Sequence, residues 1–228
     1  MPYAFEPVPR AAVAIQGMDA RFPVRRIFCV GQNYADHVKE MGGDASKPAP
    51  FFFGKPADAV VASGAAIPFP SQTANLHHEI ELVAAIGKGG AEIRREAALA
   101  HVFGYGAGVD LTRRDRQAEA KERGRPWDVA KGFDRSAPIS ALKPVAQSGH
   151  PEHARIWISV NGAMKQDANI DRMIWPVPDI IAFLSLSFEL QPGDLIFTGT
   201  PSGVGPLKTG DAVKGGVDGI GEIEFTLT

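Results

Sequence analysis

The sequence predicts a mixed α+β domain dominated by β-structure, and three observations carry that prediction. Short apolar segments alternate with turn residues along the whole chain, which has 25 glycines and 18 prolines among 228 residues. Few stretches show helical periodicity. No internal repeat, low-complexity tract or long linker divides the sequence, and a chain of this length can bury a core without disulfides.

Taken in order, residues 1–24 contain Pro2, Pro7, Pro9 and Pro23 and read as an extended N-terminal leader, followed by a single domain over 25–228. Arg26–Val30 is a short apolar strand closed by Gly31. Asn33–Met41 reads as a short helix stopped by Gly42-Gly43. Phe51–Phe53 and Ala59–Ala62 are strands, and Glu79–Ile86 is the clearest strand, ended by Gly87-Lys88-Gly89-Gly90. Ala91–Ala100 has helical character, and Val102–Leu111 is a glycine-laced strand. A charged helix should run from Thr112, a candidate N-cap, through Arg123, with Gly124 and Pro126 ending it. Arg155–Asn161 alternates Ile156, Ile158 and Val160 against Arg155, Trp157 and Ser159, a half-buried strand turning at Asn161-Gly162. Pro178–Phe188 reads as a helix with Ile181, Leu184 and Phe188 on one stripe, and short glycine-punctuated strands complete the chain.

Composition excludes several function classes. The 24 basic and 26 acidic residues are scattered and leave a net charge of −2, which does not suit a nucleic-acid binder. No stretch approaches the ~20 apolar residues of a membrane span. The opening residues lack the basic region and apolar core of a secretion signal. The one cysteine, Cys29, fits a reducing cytoplasm, and its apolar run Ile27–Val30 marks it as a small buried hydrophobe. The expectation is a cytoplasmic protein without nucleic-acid or membrane partners.

Two patterns bear on chemistry. In Glu79-Ile80-Glu81 the alternation of a strand puts both carboxylates on one face. Paired carboxylates repel, and a hard divalent cation such as Mg²⁺, Mn²⁺ or Ca²⁺ relieves that repulsion. A bare E-x-E is also the pattern of a solvated strand face. Asp110, at the end of the apolar run Val102–Val109, offers a third oxygen. His77 and His78 suggest zinc, but H-E-x-x-H and paired cysteines are absent. The second pattern is His37 with Glu40, which share a face at i, i+3 on a helix. Such a dyad can take a proton from water, and it is equally the pattern of a surface ion pair. No dinucleotide fingerprint, nucleophile elbow or Walker sequence is present. Spacing alone leaves open a metal-dependent enzyme or a cation-stabilised binding module without catalysis.

Five segments in order resemble the fumarylacetoacetate hydrolase family: 28–41 (FCVGQNYADHVKEM), 76–82 (LHHEIEL), 108–117 (GVDLTRRDRQ), 130–134 (AKGFD) and 197–206 (FTGTPSGVGP). The likeness is collinear from about residue 25 and lies nearest the acylpyruvase and fumarylpyruvate hydrolase branch. It implies a mixed β-sandwich roll with peripheral helices, assembled as a homodimer. It also implies Glu79, Glu81 and Asp110 as ligands to one Mg²⁺ or Mn²⁺ per site. His37 and Glu40 match the water-activating dyad, and Lys131 the active-site lysine. Arg114 and Gln117 match substrate-binding positions, and Thr200 the threonine that holds a substrate carboxylate. The implied reaction is hydrolysis of the C–C bond of a 2,4-diketo acid, with fumarylpyruvate the leading substrate. Oxaloacetate decarboxylation or keto–enol isomerisation would use the same stabilised enolate. Residues 42–50, rich in Gly and Pro, read as a lid that orders on ligand binding.

Overall fold

The computed structural model describes residues 3–40 and 49–228. Residues 42–48 of the expected lid lie outside the described residues. Two sheets face each other. The larger has eight strands in the spatial order Phe51–Lys55, Arg26–Gly31, Asp194–Phe197, Ile80–Ile86, Val102–Val109, Ala137–Ile139, Val60–Ala62, with Lys143–Pro144 also pairing with Val102–Val109. The smaller has five, in the order Ala163–Asn169, Arg155–Val160, Ala212–Val217, Gly221–Leu227, Ala65–Ile67. A three-stranded ribbon of Thr112–Arg113, Leu76–His78 and Gly205–Leu207 lies beside the site described below. This is the β-rich α+β architecture the sequence predicts, with short peripheral helices.

Alternation along Ile80–Ile86 explains how the layers pack. Every residue of that strand is buried. Ile80, Leu82, Ala84 and Ile86 join the core between the two sheets, with Ile156, Ile158, Ile223 and Phe225. Val83 and Ala85 face the other way, onto Cys29, Leu142 and Phe197. A strand covered on both faces reads as a continuous apolar run, which is why it stands out in the sequence.

That second face is covered by residues expected to be an extended leader. Ala12–Ile15 and Met18–Pro23 instead form an antiparallel hairpin. Val13, Ile15, Phe22 and Val24 are buried against the large sheet, so the extended backbone expected there is paired and packed as part of the domain instead of running as a leader. Three further expectations need correction. The helix after the Val102–Val109 strand begins at Arg114, not Thr112, because the Thr112 side chain is engaged elsewhere. The helix Val177–Ser187 buries Ile180, Ile181 and Leu184, while Phe188 lies past its end against Phe28. The helical character expected over Ala91–Ala100 is confined to one turn, Arg95–Ala98, and a 3₁₀ turn from Leu99. The Asn161-Gly162 turn is as expected, with both residues at positive φ.

Candidate active site

Strand register brings the site together. Ile80–Ile86 and Val102–Val109 run antiparallel, with Ile80 opposite Val109, so the start of one strand adjoins the end of the other. The Asp110 N–H donates to the Glu79 carbonyl at 2.9 Å. Asp194–Phe197 pairs with the opposite edge of Ile80–Ile86, and the chain beyond it passes Glu81, whose Oε2 accepts the Gly199 N–H at 2.7 Å. Gly199 has φ +94°, and a Cβ there would lie 2.7 Å from Asn33 Cβ, so only glycine fits. The result is three buried carboxylates, Glu79, Glu81 and Asp110, with one oxygen of each within 4.8 Å of the others.

Three cations surround these acids. Lys131, at the end of the short helix Asp128–Lys131, donates to Glu79 Oε2 at 2.7 Å, Asp110 Oδ2 at 2.6 Å and Thr112 Oγ1 at 2.7 Å. All three ammonium protons are thereby used. Lys55 pairs with Asp110 Oδ1 at 2.7 Å. Arg114 binds Glu79 Oε1 through Nη2 and Gln117 Oε1 through Nη1 at 2.6 Å.

These contacts set the acidities. Burial opposes ionisation of Glu79, but Lys131 and Arg114 outweigh it and hold the carboxyl well below the usual range. Burial raises Glu81, and the neighbouring Asp110 and Glu79 raise it further, well above the usual range. A buried acid pushed up by two others marks a place where added positive charge is stabilising. The donor set is all carboxylate oxygen, the chemistry of Mg²⁺ or Mn²⁺, and an ammonium already bridges two of the acids. The residues therefore fit a divalent cation.

His37 and Glu40 lie on the helix Ala35–Glu40, with His37 Nδ1 3.2 Å from Glu40 Oε2. Glu40 also accepts the Gly203 N–H at 3.1 Å, which ties the helix end to the loop beyond Thr200. Thr200 Oγ1 accepts from Gln166 Nε2 at 2.8 Å. His37, Glu79, Glu81, Arg114, Gln117, Lys131 and Thr200 all line one cleft, together with Gln32, Phe53, Lys121 and Trp127. Gln32 has φ +58°, a strained conformation of the kind that clusters at functional sites.

The family model for the fumarylacetoacetate (FAA) hydrolase C-terminal region matches residues 26–228. The chain belongs to this family. A fumarylpyruvate hydrolase of Pseudomonas aeruginosa, solved with Mn²⁺ and pyruvate, superposes with a TM-score of 0.98 at 52% identity, covering 100% of this chain and 99% of that one. The fumarylpyruvate hydrolase of a Ralstonia species is 45% identical over 81% of this chain and 95% of its own length. The mitochondrial oxaloacetate tautomerase of Mus musculus is 43% identical over 89% of this chain and 91% of its own.

Several residues that complete the site are not among those the sequence motifs point to. Gln166 Oε1 receives the Ile80 N–H and contacts His78 Nδ1, both at 3.1 Å, while its amide holds Thr200 and the Pro201 carbonyl. Asn33 bridges the Trp175 and Thr198 carbonyls at 2.9 and 2.7 Å. Thr112 receives Lys131 instead of capping a helix. A lysine closing an apolar strand, as in Phe51–Lys55, is the one local signal that could have marked Lys55. His77 and His78 take no part in the acid cluster: His77 contacts Asn75 and Arg114, and burial with Arg114 lowers its pKa to about 4. No helix among the described residues is long and apolar enough to cross a membrane.

Proposed function

We propose that the protein is a divalent-metal-dependent hydrolase of acylpyruvates, with fumarylpyruvate cleaved to fumarate and pyruvate as its principal reaction. The observation that carries this reading is the convergence of three buried carboxylates and the His37–Glu40 pair on one cleft. Glu79, Glu81 and Asp110 would hold one Mg²⁺ or Mn²⁺. When bound, the cation supplies a Lewis acid for the α-keto acid head and for the charge of an enolate.

The chain's own residues account for the other requirements. With Nδ1 donating to Glu40, His37 presents Nε2 as a base for the proton of an attacking water. The water oxygen bonds to C4 of the diketo acid and the C3–C4 bond breaks. Its electron pair becomes the pyruvate enolate, which is protonated at C3. Lys131 is placed to offset the enolate charge once the carboxylates have another counter-charge to release its protons. Gln166 donates to Thr200 Oγ1, which leaves the threonine hydroxyl proton for the substrate carboxylate. Arg114 fixes Gln117, a cleft-lining residue, through its side-chain oxygen, which leaves the amide N–H groups to donate to the substrate.

A second reading is favoured by the oxaloacetate tautomerase and decarboxylase relatives, at 43% and 42% identity. Decarboxylation passes through the same pyruvate enolate and tautomerisation through the enolate of oxaloacetate itself, and neither needs attack by water. We further read the protein as a cytoplasmic homodimer serving aromatic-acid breakdown. The test compares pyruvate release from fumarylpyruvate, acetylpyruvate and oxaloacetate with Mg²⁺, with Mn²⁺ and with chelator. Metal-dependent release fastest from fumarylpyruvate is expected. Release from oxaloacetate alone overturns hydrolysis in favour of decarboxylation, and sedimentation at the monomer mass overturns the dimer.

A further inference from the structure

The helix Arg114–Glu122 presents three cleft-lining side chains on one face: Arg114, Gln117 and Lys121, at i, i+3 and i+7. Their exposure rises outward. Arg114 and Gln117 are buried, and Lys121 is exposed. Arg114 is bound to Glu79 and Gln117, so its position along the cleft is fixed at the acid cluster. Lys121 stands two turns further on, about 10 Å along the helix axis at 1.5 Å per residue.

The wall beside Lys121 is aromatic. Its ammonium lies 5.3 Å from the Trp127 ring centre, and Trp127 packs on Phe51 and Phe53 at 5.3 and 5.6 Å. Phe53 and Trp127 both line the cleft. A flat unsaturated arm can lie along such rings, and its far end then meets a cation held over an indole. The same wall spans both cations: Lys131, at the acid cluster, lies 5.1 Å from the Phe53 ring centre, and Lys121 stands over Trp127 further along the helix.

We propose that Lys121 is a specificity-determining residue that receives a second carboxylate at the far end of the substrate, fitting the cleft to acylpyruvates whose acyl arm ends in an acid. This rests on the acylpyruvate reading above and adds to it the residue that selects an acidic acyl arm. The distance from acid cluster to Lys121 is on the scale of an extended diacid with a hydrogen bond at each end.

The test uses the Mn²⁺-loaded protein and the variants Lys121→Met and Lys121→Arg. The ratio of kcat/KM for fumarylpyruvate to that for acetylpyruvate should fall roughly ten- to a hundredfold in Lys121→Met, the value of one charge-assisted hydrogen bond, mainly through KM. Lys121→Arg should restore most of it. Equal losses on both substrates, or no loss on either, overturn the proposal, since a lysine that merely supports Trp127 would not change the ratio. Calorimetry with 2-oxoheptanedioate and 2-oxoheptanoate needs no turnover, because neither has the C4 carbonyl. A preference for the diacid that disappears in Lys121→Met supports the proposal even if no acylpyruvate is hydrolysed, in which case the hydrolase reading alone fails. No preference in the unsubstituted protein overturns the proposal.

Discussion

The two ends of the cleft are built differently. At the acid end, side chains come from strand termini and the short helix behind them, and two of the three acids are each held by two cations. Glu79 meets both Lys131 and Arg114, and Asp110 meets both Lys131 and Lys55. At the open end, Lys121 and Trp127 stand on or just beyond one helix, exposed and half-buried. The difference teaches where each task belongs. Groups that must keep a fixed geometry are locked by the sheet, whereas groups that choose the acyl arm sit where a substitution disturbs little else.

Replacing His37 should separate the ends most sharply. His37→Ala is expected to lower hydrolysis of acylpyruvates by ~10²–10⁴-fold, the usual worth of a general base, in steady-state assays. Pyruvate release from oxaloacetate should fall far less if that reaction needs only the enolate, and an equal fall in both would break the assignment of His37 to water. Next, Lys131→Met leaves Glu79 and Asp110 without their shared ammonium. Denaturant unfolding of the metal-free protein should show a loss of about 3–5 kcal/mol, the cost of breaking a buried ion pair. An unchanged midpoint would mean that the acid end is not held as described.

Mn²⁺ at a hundred times its Kd should stabilise the protein by about 2.7 kcal/mol in a thermal melt, and Asp110→Asn should abolish that gain. A melting shift that survives in Asp110→Asn would place the cation elsewhere. The smallest of these effects is expected for Gln166→Leu, about 1–3 kcal/mol, because it orphans the Ile80 N–H, His78 and Thr200 together. If KM for the diketo acid does not also rise, Thr200 does not hold the substrate carboxylate.

What could be read from the sequence follows from distance along the chain. Glu79 and Glu81 were visible because strand alternation is a local rule, and Asp110 because it ends a local apolar run. His37 and Glu40 share a helix face for the same reason. The partners of those residues were not visible, because strand register chooses them. Lys55 meets Asp110, and Gln166 meets Thr200, only after distant segments have paired. Thr112 shows the conflict directly: its local pattern offered a helix cap, and the lysine of a later helix took the hydroxyl. The hairpin over Ala12–Pro23 was hidden because the prolines around it signal extended chain without saying whether that chain is paired, and its packing through Val13, Ile15 and Phe22 depends on a distant sheet.

The strand that follows Glu79 and carries Glu81 lies inside the large sheet, bonded to a neighbour on each edge and covered on both faces. Such a strand has no partial opening of its own. Amide protons of Leu82 to Ala85 should therefore exchange with solvent only when the whole molecule unfolds, while the helix Ala35–Glu40 opens at lower cost. The acid cluster is then as long-lived as the fold itself, and a bound cation would leave through the mouth of the cleft rather than through any loosening of its own ligands.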